Sequence, residues 1–457
     1  MKSASGLLIV LMLMACHQDA NHREPFRANT VSDENDIAMH FPYDSHWQAI
    51  AEIIRKSPVC PKEGLAIGYC EKLQVAAGEL YQEGRLRQDQ RVLIIDDFSS
   101  SATIHFNHRI RSTYQVNENG SYQRAPIRGP VFRGAWDIAA IIADSGRSAE
   151  SFADLSERYR LRFGKILNEH SIAHGNAVLD ILAIYNPEAE FVLASGEYHQ
   201  AFIESMCRLD FPALEQFLRN RLRSLLGIIA TEEIQFINYS AGYTKGQLRR
   251  AFADLCGVRE PAEEDLDEFL RIEHAFIEQM SNLSQVIFVQ AAASVPAGID
   301  PLDFAPNDCL REGHPNRLRV AYLLGNGLNI PREGTDLEAM QDYIPPSFLH
   351  ARPCIDVYLN ARMDHRFPFK PDVQPIQVSD GALGLLPLPA PASSFISPLA
   401  LSRMINIKEV QFSDENLSDQ LIQRIFKILT HDGARMVQDP MFHHDLEKFR
   451  LNSKYDG

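Results

Sequence analysis

The sequence predicts an α/β fold in which helices lie on both faces of a mainly parallel β-sheet. From about residue 90 onward, short apolar runs alternate with segments of helical periodicity, which is the pattern of strand–helix–strand units. The runs are continuously apolar, as expected of strands that helices cover on both faces. Of the 457 residues, 45% are hydrophobic and 23% are charged, which is the composition of a globular protein.

The predicted strands and helices follow one another without an internal repeat. Strands are expected at 92–95, 191–194, 234–238 and 285–293, and helices at 211–229 and around 275–280. A later helix at 414–430 carries Leu417, Leu421, Ile425 and Leu429 on one face, so it is expected to pack against the body. Active groups in parallel sheets lie at the carboxyl ends of strands, and polar residues just after each run are therefore the candidates for function.

The chain is expected to divide into five consecutive regions. These are a signal peptide (1–15), a flexible tether (16–43), a small helical segment (44–89), the main α/β domain (90–410) and a C-terminal helix and tail (411–457). The tether is polar and aperiodic, as flexible linkers are. The helical segment is inferred from Trp47, Ile50, Ile53 and Ile54, which recur at helical spacing.

The first sixteen residues have the features of an export signal. Lys2 supplies a positive charge, and residues 6–14 form an apolar run that is too short to span a bilayer. Residues 13–16 (LMAC) resemble the lipobox of bacterial lipoproteins. This resemblance implies cleavage before Cys16, a lipid on its thiol and a membrane-anchored location in the bacterial cell envelope. His17 rather than Asp follows the cysteine, which favours the outer membrane, facing the periplasm or the cell surface; a plain secretory signal is the alternative.

The charge balance limits the classes of partner. Acidic residues number 60 and basic residues 45, so the formal net charge is −15, and binding to nucleic acid through a general basic surface is not expected. The only long apolar run lies at the start of the chain, which argues against a polytopic membrane protein.

The cysteines other than Cys16 number six, and an even number in an exported chain suggests up to three disulfides. Sequence alone permits 15 pairings. Nearest-neighbour pairing is the expectation, and it joins Cys60 to Cys70, Cys207 to Cys256 and Cys309 to Cys354. The cysteines lack the spacing of a zinc site.

Three short segments combine residue types that can carry nucleophilic catalysis. Asp96 ends the apolar run in VLIIDDFS, His174 and Gly175 lead into a helical pattern in HGNAVLDILA, and Ser394 opens another in ASSFISPLAL. Asp, then His, then Ser is one of the chain orders that build a triad. Taken alone, each residue also has a purely structural interpretation. The aspartate could be a turn or helix-cap residue, the histidine could be a loop residue or a hydrogen-bonded residue of the core, and the serine could be a helix N-cap.

The expected roles follow from the chemistry of these side chains. His174 would take the proton of the Ser394 hydroxyl and return it to the leaving amine. Asp96 would fix the tautomer of His174 and stabilise the imidazolium. Because Ser394 lies at a helix N-terminus, backbone N–H groups would favour a developing oxyanion there.

These segments resemble the motifs of the subtilisin-like serine peptidases, the subtilases. LIIDDF resembles their apolar strand followed by D-[ST]-G, HGNAVLD resembles HGTxVAG, and ASSFISP resembles GTSxAxP. In the same order as in the family, FINYSAG (236–242) resembles the strand that lines the substrate cleft, and VIFVQAAAS (286–294) resembles the strand that ends at the oxyanion asparagine. The five matches cover residues 90–405. They imply a subtilisin-like three-layer fold and an endopeptidase that cleaves proteins or peptides and requires no cofactor.

The resemblance also assigns roles outside the triad. Ser240, Ala241 and Gly242 would pair with the extended substrate by backbone hydrogen bonds. Many subtilases bind calcium, but the acidic run at 263–268 lacks the ligand spacing of a calcium loop, so neither a structural calcium site nor any other metal site is identifiable.

Several positions depart from the family pattern. Asp97 and Phe98 replace [ST]-G, so the turn after Asp96 must differ, and Asp97 is a rival for the role of Asp96. Ala392 and Ser393 replace Gly-Thr before the nucleophile. Ser294 stands at the position of the oxyanion asparagine, and Asn307 and Asn326 are the candidates for a replacement donor.

Two alternatives to an active endopeptidase remain open at this point. The first is a catalytically impaired subtilase-fold lipoprotein that acts as a binding or scaffold protein, which the Ser294 substitution favours. The second is another hydrolase on a similar sheet, although the chain lacks the G-x-S-x-G elbow around Ser394.

Overall fold

The structure, a computed structural model, describes about half of the chain. The described residues are 52, 56, 72–79, 81, 89–98, 106–132, 173–195, 199–257, 261–309, 315–325, 342–343, 348, 351, 354–360, 376–377, 384–385, 392–429 and 436–437. The predicted signal peptide and tether, including Cys16, lie outside them, as does most of the 44–89 segment.

The described strands in chain order are β1 (Lys72–Ala76), β2 (Arg91–Asp96), β3 (Ile110–Val116), β4 (Tyr122–Arg124), β5 (Arg128–Phe132), β6 (Glu190–Ser195), β7 (Phe236–Tyr239), β8 (Ile287–Ala291), β9 (Arg317–Gly325), β10 (Asp342–Tyr343), β11 (Val357–Asn360), β12 (Ile376–Gln377), β13 (Gly384–Leu385) and β14 (Met436–Val437). Ten of them form the central sheet in the order β14-β11-β9-β8-β7-β2-β6-β3-β4, with β10 paired to β9. The strands from β14 to β3 pair in parallel, whereas β4 and β10 are antiparallel.

Two antiparallel pairs lie apart from the central sheet. β1 pairs with β5, and β12 pairs with β13. The prediction of a helical segment over 44–89 is therefore wrong at Lys72–Ala76, which is the strand β1. The helical pattern that suggested it involves only residues 47–54, whereas the sequence KLQVA of β1 alternates polar and apolar residues over its first four positions, as a strand does.

The described helices are α1 (His174–Tyr185), α2 (Gln200–Arg208), α3 (Phe211–Thr231), α4 (Lys245–Cys256), α5 (Glu263–Ser281), the short α6 (Pro301–Phe304) and α7 (Pro306–Cys309), α8 (Ser393–Phe412) and α9 (Asp419–Leu429). The predicted 211–229 helix is confirmed as α3, which begins with Asp210 accepting a hydrogen bond from the Ala213 amide. The helix predicted at 414–430 is present as α9 but begins at Asp419, so Leu417 lies just before it. Leu417, Leu421, Ile425 and Leu429 all pack in the same apolar cluster as α8, as predicted.

Helices cover both faces of the sheet. Val92 and Ile94 of β2 belong to a cluster with α1, α8 and α9, whereas Leu93 and Ile95 belong to a second cluster with α2, α3, α4 and α5. Successive side chains of a strand point to opposite faces, so a continuously apolar strand is buried on both. The predicted three-layer α/β fold with a mainly parallel sheet is confirmed.

The predicted strands at 234–238 and 285–293 begin later in the structure, at Phe236 and Ile287. In each case a non-glycine residue with positive φ precedes the strand: Glu233 (φ 52°) and Gln285 (φ 60°). Such a residue turns the chain between helix and sheet, so the apolar residues next to it lie in the connection.

The chain order of the strands defines where a ligand would bind. β2 is the first strand of the parallel sheet in sequence; β3 and β6 lie on one side of it, and β7, β8 and β9 lie on the other. In open α/β sheets, ligands bind in the crevice outside the carboxyl ends of strands where the order reverses. This point lies at the ends of β2 and β7, after Asp96 and Tyr239.

Two of the predicted disulfides are present. Cys207 of α2 is joined to Cys256 at the end of α4, and Cys309 of α7 is joined to Cys354, across 49 and 45 residues of sequence. Cys60 and Cys70 lie outside the described residues. Within the described part of the chain, no helix is both long and apolar enough to cross a membrane.

Candidate active site

The carboxyl end of β2 meets the first residue of α1. Asp96 is the last residue of the strand and is 3% exposed at its side chain, and His174 begins the helix and is 11% exposed. The Nδ1 atom of His174 lies 2.9 Å from Oδ1 and 2.9 Å from Oδ2 of Asp96. A buried carboxylate in this position holds the imidazole with its Nε2 directed away from the strand, which is the orientation a general base requires.

Gly175 allows this contact because the helix approaches the strand end closely. Its amide donates a hydrogen bond to the carbonyl of Asp97 (3.1 Å). A β-carbon at position 175 would lie 2.9 Å from Cβ of Asp96, 3.0 Å from the Asp97 carbonyl oxygen and 3.0 Å from Cε1 of Phe98. Since real β-carbons do not come so near, only glycine fits here.

The turn after Asp96 lacks the glycine of the D-[ST]-G motif that this segment resembles. The amide of Asp97 donates back to Oδ1 of Asp96 (2.8 Å), and the amide of Phe98 donates to Oγ of Ser195 at the end of β6 (3.1 Å). Both backbone donors are thus satisfied, and the first of them also supports the carboxylate that holds His174. The predicted change of this turn is accounted for by these two bonds.

Asp97 lies next to the Asp96–His174 pair, but the carboxylate bonded to His174 Nδ1 is that of Asp96. Burial and the neighbouring charge of Asp96 raise the pKa of Asp97 to about 6, and the charge of His174 partly offsets them. Two carboxylates on adjacent residues disfavour each other's ionisation. The geometry assigns the bond to Nδ1 to Asp96, and Asp97 contributes a charge that varies near neutral pH.

Ser394 is the second residue of α8, on the same face of the sheet as α1. The N-cap residue is Ala392, whose side chain caps nothing, so the first-turn amides of α8 have no side-chain cap. Next to Ser394, the ring of Phe395 lies 4.8 Å from the ring of His174, at an interplanar angle of 34°. This ring contact brings the histidine and the N-terminus of α8 together.

Ser240 ties the N-terminus of α8 to the sheet. It directly follows β7, and its Oγ lies 3.0 Å from the carbonyl oxygen of Ser394 and 3.2 Å from Oγ of Ser397. Nδ2 of Asn238 in β7 donates to the same Oγ (2.7 Å). Asn238 and Ser397 are both fully buried. The polar groups at the ends of β2 and β7 therefore lie with Ser394 at one edge of the sheet.

The rest of the predicted cleft lies at the ends of neighbouring strands. Ala241 and Gly242 are half-buried after β7, and the Ala241 carbonyl accepts a hydrogen bond from Nε2 of Gln290 (3.3 Å). Ser294 is half-buried in the connection after β8, the strand beside β7. Each of these residues occupies the carboxyl side of its strand, where the sequence places it.

The suggestion that Asn307 supplies a replacement oxyanion donor is wrong. Its side chain is buried, and its Nδ2 donates to the Leu270 carbonyl (2.9 Å) and to Oε2 of Glu273 (2.8 Å), both on α5. This helix covers the sheet face opposite to α1 and α8. The other candidate, Asn326, lies outside the described residues.

Sequence reasoning did not assign a role to Asn238, Ser397 or Phe395. Asn238 is an amide in an otherwise apolar strand, paired with Ile94 of β2 and Val289 of β8, and this break in the apolar run was a usable signal. The contacts of Ser397 and Phe395 depend on where α8 lies against the sheet, which the local sequence does not specify.

The described ranges hold no group of three or more His, Cys, Asp or Glu side chains arranged to bind a metal ion. The acidic run considered for calcium is the first turns of α5, where Glu263 and Asp267 form ion pairs with Lys245. Acidic residues in a first helical turn are favourable for the helix dipole.

Substituting Gly175 by alanine is expected to weaken the contact between α1 and β2. The added methyl group would overlap the atoms at the end of β2, so the free energy of unfolding should fall by about 1–3 kcal/mol. Gly227 in α3 is the matched control, since a β-carbon there meets nothing within 4 Å. Chemical denaturation should show Gly227→Ala at or above the stability of the parent, and equal effects of the two substitutions would contradict the close approach.

Asp97 should make stability depend on pH. Its pKa is about 6 in the folded chain against an ordinary value of 3.8, so between these pH values the folded state keeps a proton that the unfolded state releases. The free energy of unfolding therefore falls as the pH rises from about 4 to about 6. Asp97→Asn removes this penalty.

Denaturation at several pH values tests this dependence on Asp97. Relative to the parent, Asp97→Asn should gain on the order of 1–3 kcal/mol above pH 6 and nothing below pH 4. Asp254→Asn, at an exposed position of α4, is the control for loss of one acidic group. A gain that is the same at all pH values would refute the role of Asp97 ionisation.

Comparison with family models and with curated sequences gave no match for this chain. The function of the chain must therefore be inferred from the residues at the ends of β2 and β7 and from their contacts.

Proposed function

We propose that the chain is a serine endopeptidase of the subtilisin-like type, which cleaves peptide bonds through an acyl-enzyme on Ser394. The observation that carries the proposal is the pairing of His174 Nδ1 with the buried Asp96 carboxylate, beside the helix N-terminus that holds Ser394. A histidine held in this way beside a helix-start serine is the arrangement that nucleophilic acyl transfer needs.

The proposed reaction uses these side chains in turn. Nε2 of His174 accepts the proton of the Ser394 hydroxyl as Oγ attacks the substrate carbonyl carbon, and the imidazolium is stabilised by Asp96. The imidazolium then gives its proton to the leaving amine, and the acyl group remains on Oγ. Water then gives a proton to the same imidazole as it attacks the acyl carbon; the bond between this carbon and Oγ breaks, the carboxylic product leaves, and the imidazolium returns the proton to Ser394 Oγ.

The developing oxyanion would be stabilised by the N-terminus of α8. The Phe395 amide donates to the Ala392 carbonyl (3.1 Å), and the Ala392 side chain caps no amide of the first turn, so the donors to a negative oxygen would be the amides of Ser393 and Ser394. Ser294 would stand in for the asparagine of the family with a shorter side chain. Removing one oxyanion donor costs about 10²–10³ in kcat in subtilisin, so a lower rate than that of typical subtilases is expected.

The proposed substrate is an extended protein or peptide segment. Ser240, Ala241 and Gly242 follow β7 at the same sheet edge as Asp96, and small side chains allow a second backbone to approach. Within this segment the Ala241 carbonyl is held by Gln290. The proposal requires no cofactor, because proton transfer and oxyanion stabilisation both come from the chain itself.

A lipid-anchored location in the bacterial cell envelope belongs to the same proposal. It is supported by the lipobox-like residues 13–16 and by the disulfides Cys207–Cys256 and Cys309–Cys354, since disulfides persist in oxidising compartments. The lipid on Cys16 would attach the enzyme to the membrane, and the outer membrane is the favoured one.

The competing proposal is a catalytically impaired protein of the same fold that acts as a binding or scaffold lipoprotein. The specific observation in its favour is Ser294 at the oxyanion position. The two proposals differ in whether Ser394 is an activated nucleophile, and this property can be measured without knowing the substrate.

Covalent labelling with a fluorophosphonate separates the two. The protein lacking residues 1–16 should be labelled at Ser394, because the paired histidine and the helix N-terminus activate its hydroxyl. Ser394→Ala should not be labelled, and Ser393→Ala, which removes the adjacent hydroxyl, should be labelled like the parent. A folded parent that resists the probe would remove the endopeptidase proposal and favour the binding protein.

A further inference from the structure

The carbonyl of Ser394 cannot receive the hydrogen bond that a helix normally gives it. In an α-helix the carbonyl of residue i accepts from the N–H of residue i+4, and the residue four after Ser394 is Pro398, which has no N–H. The proline ring also crowds the carbonyl four residues before it, which disfavours regular helix geometry at this point, although the helix continues through Pro398. The affected carbonyl is that of the proposed nucleophile itself.

A hydroxyl from another element replaces the missing donor. Oγ of Ser240 lies 3.0 Å from the Ser394 carbonyl oxygen, whereas Oγ of Ser397, within α8, lies 3.4 Å from it. Ser240 accepts a hydrogen bond from Nδ2 of Asn238, so its own proton is directed toward α8. The shorter and better supported donor to the Ser394 carbonyl is therefore Ser240.

This bond connects the nucleophile to the strand beside the one that carries Asp96. β7, which ends just before Ser240, pairs with β2 through Ile95 and Tyr239. Asn238 is fully buried, and burying an amide is unfavourable unless it is hydrogen-bonded. Its bond to Ser240 fixes the hydroxyl at the carboxyl edge of the sheet, at the level of Asp96.

We propose that Ser240 is a positioning residue for the nucleophile. The Ser240 hydroxyl supplies the hydrogen bond that Pro398, which lacks an N–H, cannot give, and so fixes the backbone of Ser394 relative to the Asp96–His174 pair. The inference rests on the proposed function, in which the backbone of Ser240 also pairs with substrate. It adds a role for the side chain, namely to set the direction from which Ser394 Oγ faces His174.

A double-mutant cycle between positions 240 and 398 tests the inference. Ser240→Ala leaves the Ser394 carbonyl with only the longer contact to Ser397 Oγ, so the saturating rate of fluorophosphonate labelling should fall about tenfold with little change in probe affinity. Pro398→Ala supplies a backbone N–H that can donate to the same carbonyl. In the Pro398→Ala background, Ser240→Ala should change the labelling rate by less than about twofold. Ser240→Thr keeps the hydroxyl and should label within about threefold of the parent.

Equilibrium unfolding of the same four proteins gives a readout that needs no activity. Ser240→Ala should destabilise both backgrounds, because the buried Nδ2 of Asn238 loses its acceptor in each. The rise in the unfolding equilibrium constant should nevertheless be about tenfold larger in the parent than beside Pro398→Ala, because only in the parent does the half-buried Ser394 carbonyl also lose its main donor. A parent that is not labelled but shows this coupling would remove the proposed function and keep the hydrogen bond. A labelled parent with no coupling in rate or in unfolding would overturn the role of Ser240.

Discussion

The proposed site is built around the bond between His174 and Asp96. This bond forms because β2 is buried between β6 and β7 and because α1 begins directly over the end of this strand. The glycine at position 175 makes the approach possible, since any side chain there would meet the strand end. The sheet thus supplies a fixed carboxylate, and the helix supplies the base in a fixed orientation.

The second helix of the site, α8, is held by a different kind of contact. Its apolar side chains pack on the same face as α1, but its N-terminus is fixed to the sheet edge by polar groups from β7. Pro398 prevents the helix from satisfying the Ser394 carbonyl by itself, so the backbone of the proposed nucleophile depends on a contact far away in sequence. A helix start that is hydrogen-bonded to the sheet is held more firmly than a free helix end, which tends to fray.

Some of the fold could be predicted because local sequence determines it. β2, β6, β7 and β8 are mostly apolar runs, and α3 and α9 have clear helical periodicity. β9 was not predicted, because Arg317 and Arg319 interrupt its apolar pattern. Both are buried in the structure, where Arg317 bonds Gln290 and Arg319 bonds Asp356. Partners so distant in sequence cannot be identified from the strand itself.

The same distinction applies to the site. Asp96, His174 and Ser394 could be proposed from short motifs at the ends of predicted elements, and the structure joins Asp96 to His174 directly. The bond from Ser240 to the Ser394 carbonyl spans 154 positions of sequence, and it depends on how α8 lies over β7. Motif reasoning therefore finds the reacting groups, whereas the groups that position them become visible only in the packed structure.

The most direct test of the account compares the two adjacent carboxylates at the end of β2. Fluorophosphonate labelling rates would be measured for Asp96→Asn and Asp97→Asn beside the parent. Because Asp96 alone is bonded to His174 Nδ1 in the account, Asp96→Asn should lower the rate by about 10⁴-fold, whereas Asp97→Asn should remain within about tenfold of the parent. Loss of labelling in Asp97→Asn with retention in Asp96→Asn, or parent-like rates in both, would contradict it.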